Sequence, residues 1–329
     1  MAGVGTFISP GRSLETGIER ARLADSLGFE SVYTTQIAGR DAFTILAAFA
    51  QATEKVKLGT GVAPIFARTP VAMAQVAATL DELSGGRMIL GLGVSHQITV
   101  ENWFDATISK PVTQMREYVG AVRAILCGEP PPEAEFFPTR FQFMGYPPCP
   151  ELPIYVAALS PNMLRLAGEI GDGVMLWLCA PDYIRDVVVP AVTEGREAAG
   201  KSMDDFDIVA AVPSGLTDDR EAALEAIRVE LVTYCSLPFY RRMLEGSGFS
   251  DEIAAFDEGM AAGDVEKAKA GISERMLDSL AGIGDADAVR GAVERYQAAG
   301  AKSPCVGGIL GTSFEATLEA AAELVKAPG

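Results

Sequence analysis

Two hydrophobic periods follow one another along this chain about eight times. Short continuous apolar runs stand at Val4–Ile8, Phe29–Tyr33, Val56–Val62, Met88–Gly93, Pro153–Ala158, Gly173–Leu178, Phe206–Val212 and Cys305–Ile309. Between most of them lie segments of helical period with legible ends. Ser13 precedes one and Gly28 follows it; Thr69-Pro70 opens another, which Gly85-Gly86 closes. Val112–Leu126 carries Met115, Val119, Val122 and Ile125/Leu126 along one stripe. Parallel strands buried on both faces read as continuous apolar runs, and each needs a crossover helix before the next. Eight such units predict an α/β fold, a closed (β/α)8 TIM barrel with insertions, taken as one domain over 1–329. Two ordinary domains are the rival that length alone allows. In a barrel, reactive groups belong on the loops leaving the C-terminal ends of the strands.

Three stretches interrupt the alternation. Residues 97–110 read as a long loop after the fourth strand. Residues 129–152 are dense in proline and aromatics and read as a pinned excursion over the barrel rim. Residues 236–280 break into short helical pieces, placed over or beside the barrel mouth. The last unit shows Thr312-x-x-Glu315, a capping-box pattern, ahead of an apolar stripe.

Composition narrows the classes. With 49% hydrophobic and 22% charged residues the chain is globular. A formal charge of −17 repels polyanions, so no nucleic-acid partner is expected. No apolar run approaches the roughly 20 residues of a membrane helix, and no membrane partner is expected. Met1-Ala2-Gly3-Val4-Gly5 has no basic region, which speaks against a secretory signal. Cys127, Cys149, Cys179, Cys235 and Cys305 are scattered and lack any C-x-x-C pair. Neither a disulfide framework nor a metal site is indicated, and a reducing cytoplasm fits best.

The residues themselves offer three places for chemistry. At the fifth strand's end, Ser160 suits an N-cap and Pro161 the first helical position, so free main-chain N–H groups face the mouth. An anion there gains roughly 0.3–2 kcal/mol from the helix dipole, besides its hydrogen bonds. An ordinary capped helix is the plainer reading; position on the reactive face favours the anion. Gly59-Thr60-Gly61 at the third strand's end permits a bulge or close approach to a flat ligand. Gly91-Leu92-Gly93-Val94-Ser95-His96 begins like a dinucleotide fingerprint, but His96 stands where the third glycine belongs. His96 is the only histidine, which excludes a two-histidine mechanism, and its position suits acid/base duty. No lysine sits at a strand tip, and no carboxylate trio marks a metal site.

Leu58-Gly59-Thr60-Gly61-Val62, Arg68-Thr69-Pro70, the run Leu80-Asp81-Glu82-Leu83-Ser84-Gly85-Gly86-Arg87 and Leu90-Gly91-Leu92-Gly93 together resemble the bacterial luciferase-like family. The likeness is greatest to its deazaflavin (coenzyme F420) branch. Lys110-Pro111-Val112 and Ala167-Gly168-Glu169-Ile170-Gly171-Asp172-Gly173 extend the resemblance over nearly the whole chain. It implies a non-prolyl cis peptide at Gly61-Val62 backing the ring of the cofactor, with Ala63 beside it. It also implies that Gly93, Val94 and Ser95 border the ring, and that the backbone of Ala158, Leu159 and Ser160 holds the phosphate.

Relatives carry an Asp-His pair where this chain has Thr35 and Gln36, and a neutral amide cannot act as the acid. His96 falls where one branch has a glutamate beside the reacting carbon. The expectation is therefore His96 as general acid/base or substrate orienter, with Gln36 and Thr35 as polar contacts. The expected activity is hydride exchange between F420 and a small-molecule substrate, with no metal and with the protein as a homodimer. The insertion aromatics Trp103, Phe104, Phe136, Phe137, Phe141 and Phe143 suggest a bulky or apolar substrate, while core or dimer packing explains each ring taken singly. The alternatives are an FMN-dependent monooxygenase on the same barrel and a degenerate, non-catalytic flavin-binding barrel.

Overall fold

Eight parallel strands close on themselves in the computed structural model, which describes residues 3–9, 11 and 13–326. Met1 and Ala2 of the N-terminal stretch lie outside those residues. β1 (Gly5–Phe7) leads to α1 (Leu14–Leu27), and β2 (Ser31–Thr34) to α2 (Ala42–Ala52). β3 (Lys57–Thr60) continues through the two-residue β4 (Ala63–Pro64) to α3 (Pro70–Ser84). β5 (Met88–Gly93) is followed by α4 (Gln97–Phe104) and α5 (Pro111–Cys127), and β6 (Ile154–Ala157) by α6 (Pro161–Ile170). After β7 (Gly173–Leu176), α7 (Pro181–Tyr183) runs through a π-helical turn into α8 (Val189–Ala198). β8 (Asp207–Leu216) precedes α9 (Arg220–Cys235), α10 (Pro238–Gly246), α11 (Ser250–Ala261), α12 (Val265–Gly271) and α13 (Glu274–Leu280). β9 (Gly282–Gly284), α14 (Ala286–Ala298), β10 (Ser303–Gly308) and α15 (Phe314–Lys326) follow.

Around the barrel the order is β1, β2, β3, β5, β6, β7, β8 and β10, and pairing of β10 with β1 closes the ring. Each of the eight apolar runs overlaps one of these strands. Alternate residues serve the two faces. Tyr33, Ile89, Tyr155, Met175 and Val209 fill the lumen, topped by Phe7 and Val62. Their neighbours Val32, Leu90, Val174 and Ile208 join the layer between strands and helices. Both faces are dry, which is why no polar alternation shows in the sequence. Helix ends follow the expected chemistry. Thr69 accepts a hydrogen bond from the Ala72 N–H, and Gly28 and Gly85 take left-handed backbone at the ends of α1 and α3.

Four expectations are corrected. Residues 97–110 are not a plain loop, because Gln97–Phe104 forms α4 directly after His96. The 129–152 segment lies mostly as a strap against the outer wall of α3 and α5 and reaches the rim only at Phe136 to Arg140, where Phe137 stands 6.1 Å from Phe66. The Glu117 carboxylate accepts from the N–H groups of Glu135 and Phe136, and the Tyr146 hydroxyl donates to the Ala78 carbonyl. Phe137 meets Tyr118 of α5 edge-on at 5.0 Å, and Phe141 and Phe143 pack on the same outer layer. The cap of α15 shifts by one residue: Ser313, not Thr312, accepts from Ala316. Finally, β8 overshoots the barrel, and its extension pairs with the unforeseen β9, Ser214 opposite Gly282.

Between β3 and β5 the ladder carries a bulge. Gly59 pairs with Ile89 and Ala63 with Leu92, so three residues face two. The buried Thr60 hydroxyl bridges the break, donating to the Gly91 carbonyl at 2.7 Å and accepting from the Gly91 N–H at 2.9 Å. Thr60→Val keeps the shape and orphans both groups. Urea denaturation should show a loss of about 1–3 kcal/mol; an unchanged midpoint would contradict this role for the hydroxyl.

Candidate active site

Just past Thr60 the chain turns into the barrel mouth. The Gly61–Val62 peptide is cis, at the position where the family resemblance places one. Val62 points into the lumen beside Phe7, and together these side chains make the floor of the mouth. Gly61 is required by proximity: a Cβ there would lie 2.4 Å from the Phe7 ring. Gly93, on the neighbouring strand, is tighter from two sides. Its Cβ would stand 2.7 Å from Val62 Cγ2 and 3.4 Å from the Ala157 Cβ. Gly61, Val62, Gly93 and the end of β6 are thus brought together. Ala63 is buried and pairs with Leu92.

From Ala157 the chain passes through Ala158, Leu159 and Ser160 into α6. Ser160 has extended backbone and its hydroxyl makes no capping bond, with Pro161 in the first turn. The first-turn N–H groups of α6 are therefore left to an outside acceptor. The Leu159 carbonyl is turned away, accepting from the Tyr183 hydroxyl at 2.9 Å.

Val94, Ser95 and His96 continue from Gly93. Ser95 holds φ at 64°, a left-handed conformation that turns the chain sharply before α4. His96 stands at the N-cap of α4 without using its side chain as a cap, and its ring lies 6.2 Å from that of Tyr240. Tyr240 packs on Tyr234, Tyr234 on Trp177, and Trp177 on Phe7, at 4.8, 6.2 and 6.4 Å. This aromatic arc carries the 236–280 insertion onto the mouth, as its position in the sequence suggests. Burial lowers the His96 pKa below the ordinary 6.5, because a half-buried imidazole loses hydration when charged. At neutral pH the ring is neutral, with one nitrogen free to accept a proton.

Gln36 lies at the end of β2 in a polar clamp. Its side-chain oxygen accepts from Arg68 at 3.2 Å, and the same guanidinium pairs with Asp41 and stacks over Phe43 at 4.6 Å. Thr35 is exposed. Arg68 was visible in the Arg68-Thr69-Pro70 motif but had no assigned task. Trp177, Tyr234 and Tyr240 were missed, since nothing in local spacing says that three distant rings meet. A groove of about 460 Å³ lies beside the mouth, between Phe66 and Val71 on one side and Phe136 to Arg140 of the strap on the other. The buried Asp207 accepts from Tyr155 and Ser303 at 3.1 and 3.0 Å, but it stands where β8 starts, at the opposite end from the mouth. Among the described residues no group of His, Cys, Asp and Glu could hold a metal ion. No helix among them is long and apolar enough to cross a membrane.

The model of the luciferase-like monooxygenase family matches residues 1–303. The chain belongs to that family. A Mycobacterium tuberculosis protein provisionally named a coenzyme F420-dependent oxidoreductase is 33% identical over 308 residues, covering 86% of this chain and 87% of that protein. The 5,10-methylenetetrahydromethanopterin reductase of Archaeoglobus fulgidus is 29% identical over 305 residues, with 91% of each chain covered. Among solved structures, the coenzyme F420-dependent tetrahydromethanopterin reductase from Methanopyrus kandleri has a TM-score of 0.81 at 25% identity. That match covers 98% of this chain and 97% of the other.

Because the chain has one histidine, its proton NMR spectrum carries a single ring titration. The C2–H resonance should titrate with a midpoint below 6.5. The linked contribution to stability is complete above pH 6.5 and is lost as pH falls toward that lower midpoint. A midpoint at or above 6.5 would refute the buried, neutral ring.

Proposed function

We propose that this chain is an oxidoreductase that exchanges a hydride between coenzyme F420 and a small organic substrate at the barrel mouth. One observation carries the reading: Val62, Gly93 and Ala157 close on one another. The apolar floor and the unpartnered N–H groups of α6 therefore belong to one continuous site. Relatives named for F420, aligned over most of both chains, support the cofactor class.

The residues present fit such a group. Main-chain N–H donors suit a phosphate in a chain of charge −17 that has no cationic cluster to spare. Val62, Phe7 and Trp177 offer a flat ligand apolar contact. When bound, F420 supplies the two-electron hydride chemistry that side chains lack. The first turn of α6 would anchor the anionic end, and Gly93 with Val94 and Ser95 would border the ring. Val62 and Phe7, packed on the lumen, would exclude water from beneath such a ring. A neutral His96 ring nitrogen takes up the proton released from a substrate hydroxyl, and returns it in the reverse direction. Gln36, held by Arg68, orients the substrate oxygen through its amide.

Fluorescence titration of the apo-protein should show saturable binding of F420 and none of FMN. Tight FMN binding without F420 binding would transfer the chain to the monooxygenase alternative. His96→Ala should lower kcat by about 10²–10⁴-fold while leaving the F420 dissociation constant within about twofold. Undiminished turnover would remove His96 from the chemistry, and turnover of no substrate by the wild type would favour a non-catalytic barrel.

A further inference from the structure

We propose that Cys127 and Cys149 are a modification site, a thiol pair that closes into a disulfide on exposure to a peroxide and staples the strap to the end of α5. Cys127 is the last residue of α5, and the Cys149 N–H donates to the carbonyl of the preceding residue, Leu126, at 2.8 Å. A main-chain bond of that length to the carbonyl joined to Cys127 puts the two Cα atoms roughly 4.5–6.5 Å apart, inside the span that a disulfide bridges. The neighbours abut as well: a Cβ on Gly128 would lie 3.0 Å from Pro148 Cγ. The thiols also sense each other. Burial, then Asp81, then Cys127 push the Cys149 thiol up.

Both residues are half-buried, open to a small oxidant, whereas Cys179, Cys235 and Cys305 are buried. Of five cysteines, two therefore stand paired at the surface and three are shielded. The pair encloses the strap, so the link would fix Phe136 to Arg140, one wall of the groove beside the mouth.

The chemistry balances with hydrogen peroxide as oxidant. The Cys127 thiolate attacks a peroxide oxygen, the O–O bond breaks, and sulfenic acid and water form. Cys149 then attacks the Cys127 sulfur. The S–O bond breaks, the S–S bond forms, and a second water leaves.

Native protein treated with hydrogen peroxide, alkylated and digested without reductant should yield a peptide pair joined through Cys127 and Cys149. Dithiothreitol should release it, and Cys149→Ser should abolish it. Trypsin cleavage after the exposed Arg140 gives a second reading. The nicked, oxidised chain should migrate as one species without reductant and as two fragments with it. Separate alkylation or over-oxidation of the two cysteines, a link to another cysteine, or fragments that part without reductant would each overturn the proposal.

Discussion

The lumen of an eight-stranded barrel holds few side chains, and that shortage of space governs the rest of this structure. Tyr33 and Phe7 are large rings whose volume must be yielded by the neighbouring strand. A Cβ on Gly59 would lie 2.5 Å from the Tyr33 ring, and one on Gly61 2.4 Å from Phe7. Glycine at both positions lets the rings lie flat across the barrel. The same stretch contains the bulge, and Thr60 compensates for it by bonding both polar groups of Gly91. Packing below the mouth and the shape of the mouth are therefore one problem with one solution.

The same packing gives the glycine spacing a second use, beside the bulge that it permits. Gly59-Thr60-Gly61 suggests a bulge or a strand end that approaches a flat ligand, and Gly91-Leu92-Gly93 begins like a dinucleotide fingerprint. In the folded chain these glycines make way first for the protein's own atoms: Phe7, Tyr33, Met175, Val62 and the Thr60 carbonyl. Only Gly93, facing Val62 and Ala157, also lies on the path from the floor to α6. Spacing fixes which residues lack a side chain; it does not say what fills the space.

The strands were legible because burial on both faces removes polar residues from them, leaving eight runs that no helix imitates. Ser160-Pro161 and the Gly61-Val62 junction were legible for local reasons, one through capping chemistry and the other through motif resemblance. The strap was not. Proline and aromatic density announces a fixed, irregular segment but carries no periodicity that tells rim from outer wall; Phe137 packs on Tyr118 of α5 and on Phe66, while Phe143 packs on Phe141 and Tyr146 of the strap itself. The arc through Trp177, Tyr234 and Tyr240 was equally hidden, because it joins residues whose proximity depends on how the insertion folds back. Gln36 was singled out by what it replaces, yet its clamp by Arg68 and Asp41 emerged only from the fold.

The overshooting end of β8 has an architectural consequence. Helices α9 to α13 leave the barrel at Leu216 and return at Gly282, and Ser214 already pairs with Gly282. Departure and return are adjacent, so the cap behaves as a cassette plugged into a two-pronged socket. Its length and sequence can drift without moving a barrel strand, since loop closure grows only slowly costlier with length. A lineage can thereby redraw the ceiling over an unchanged floor, and new selectivity need not disturb the framework beneath.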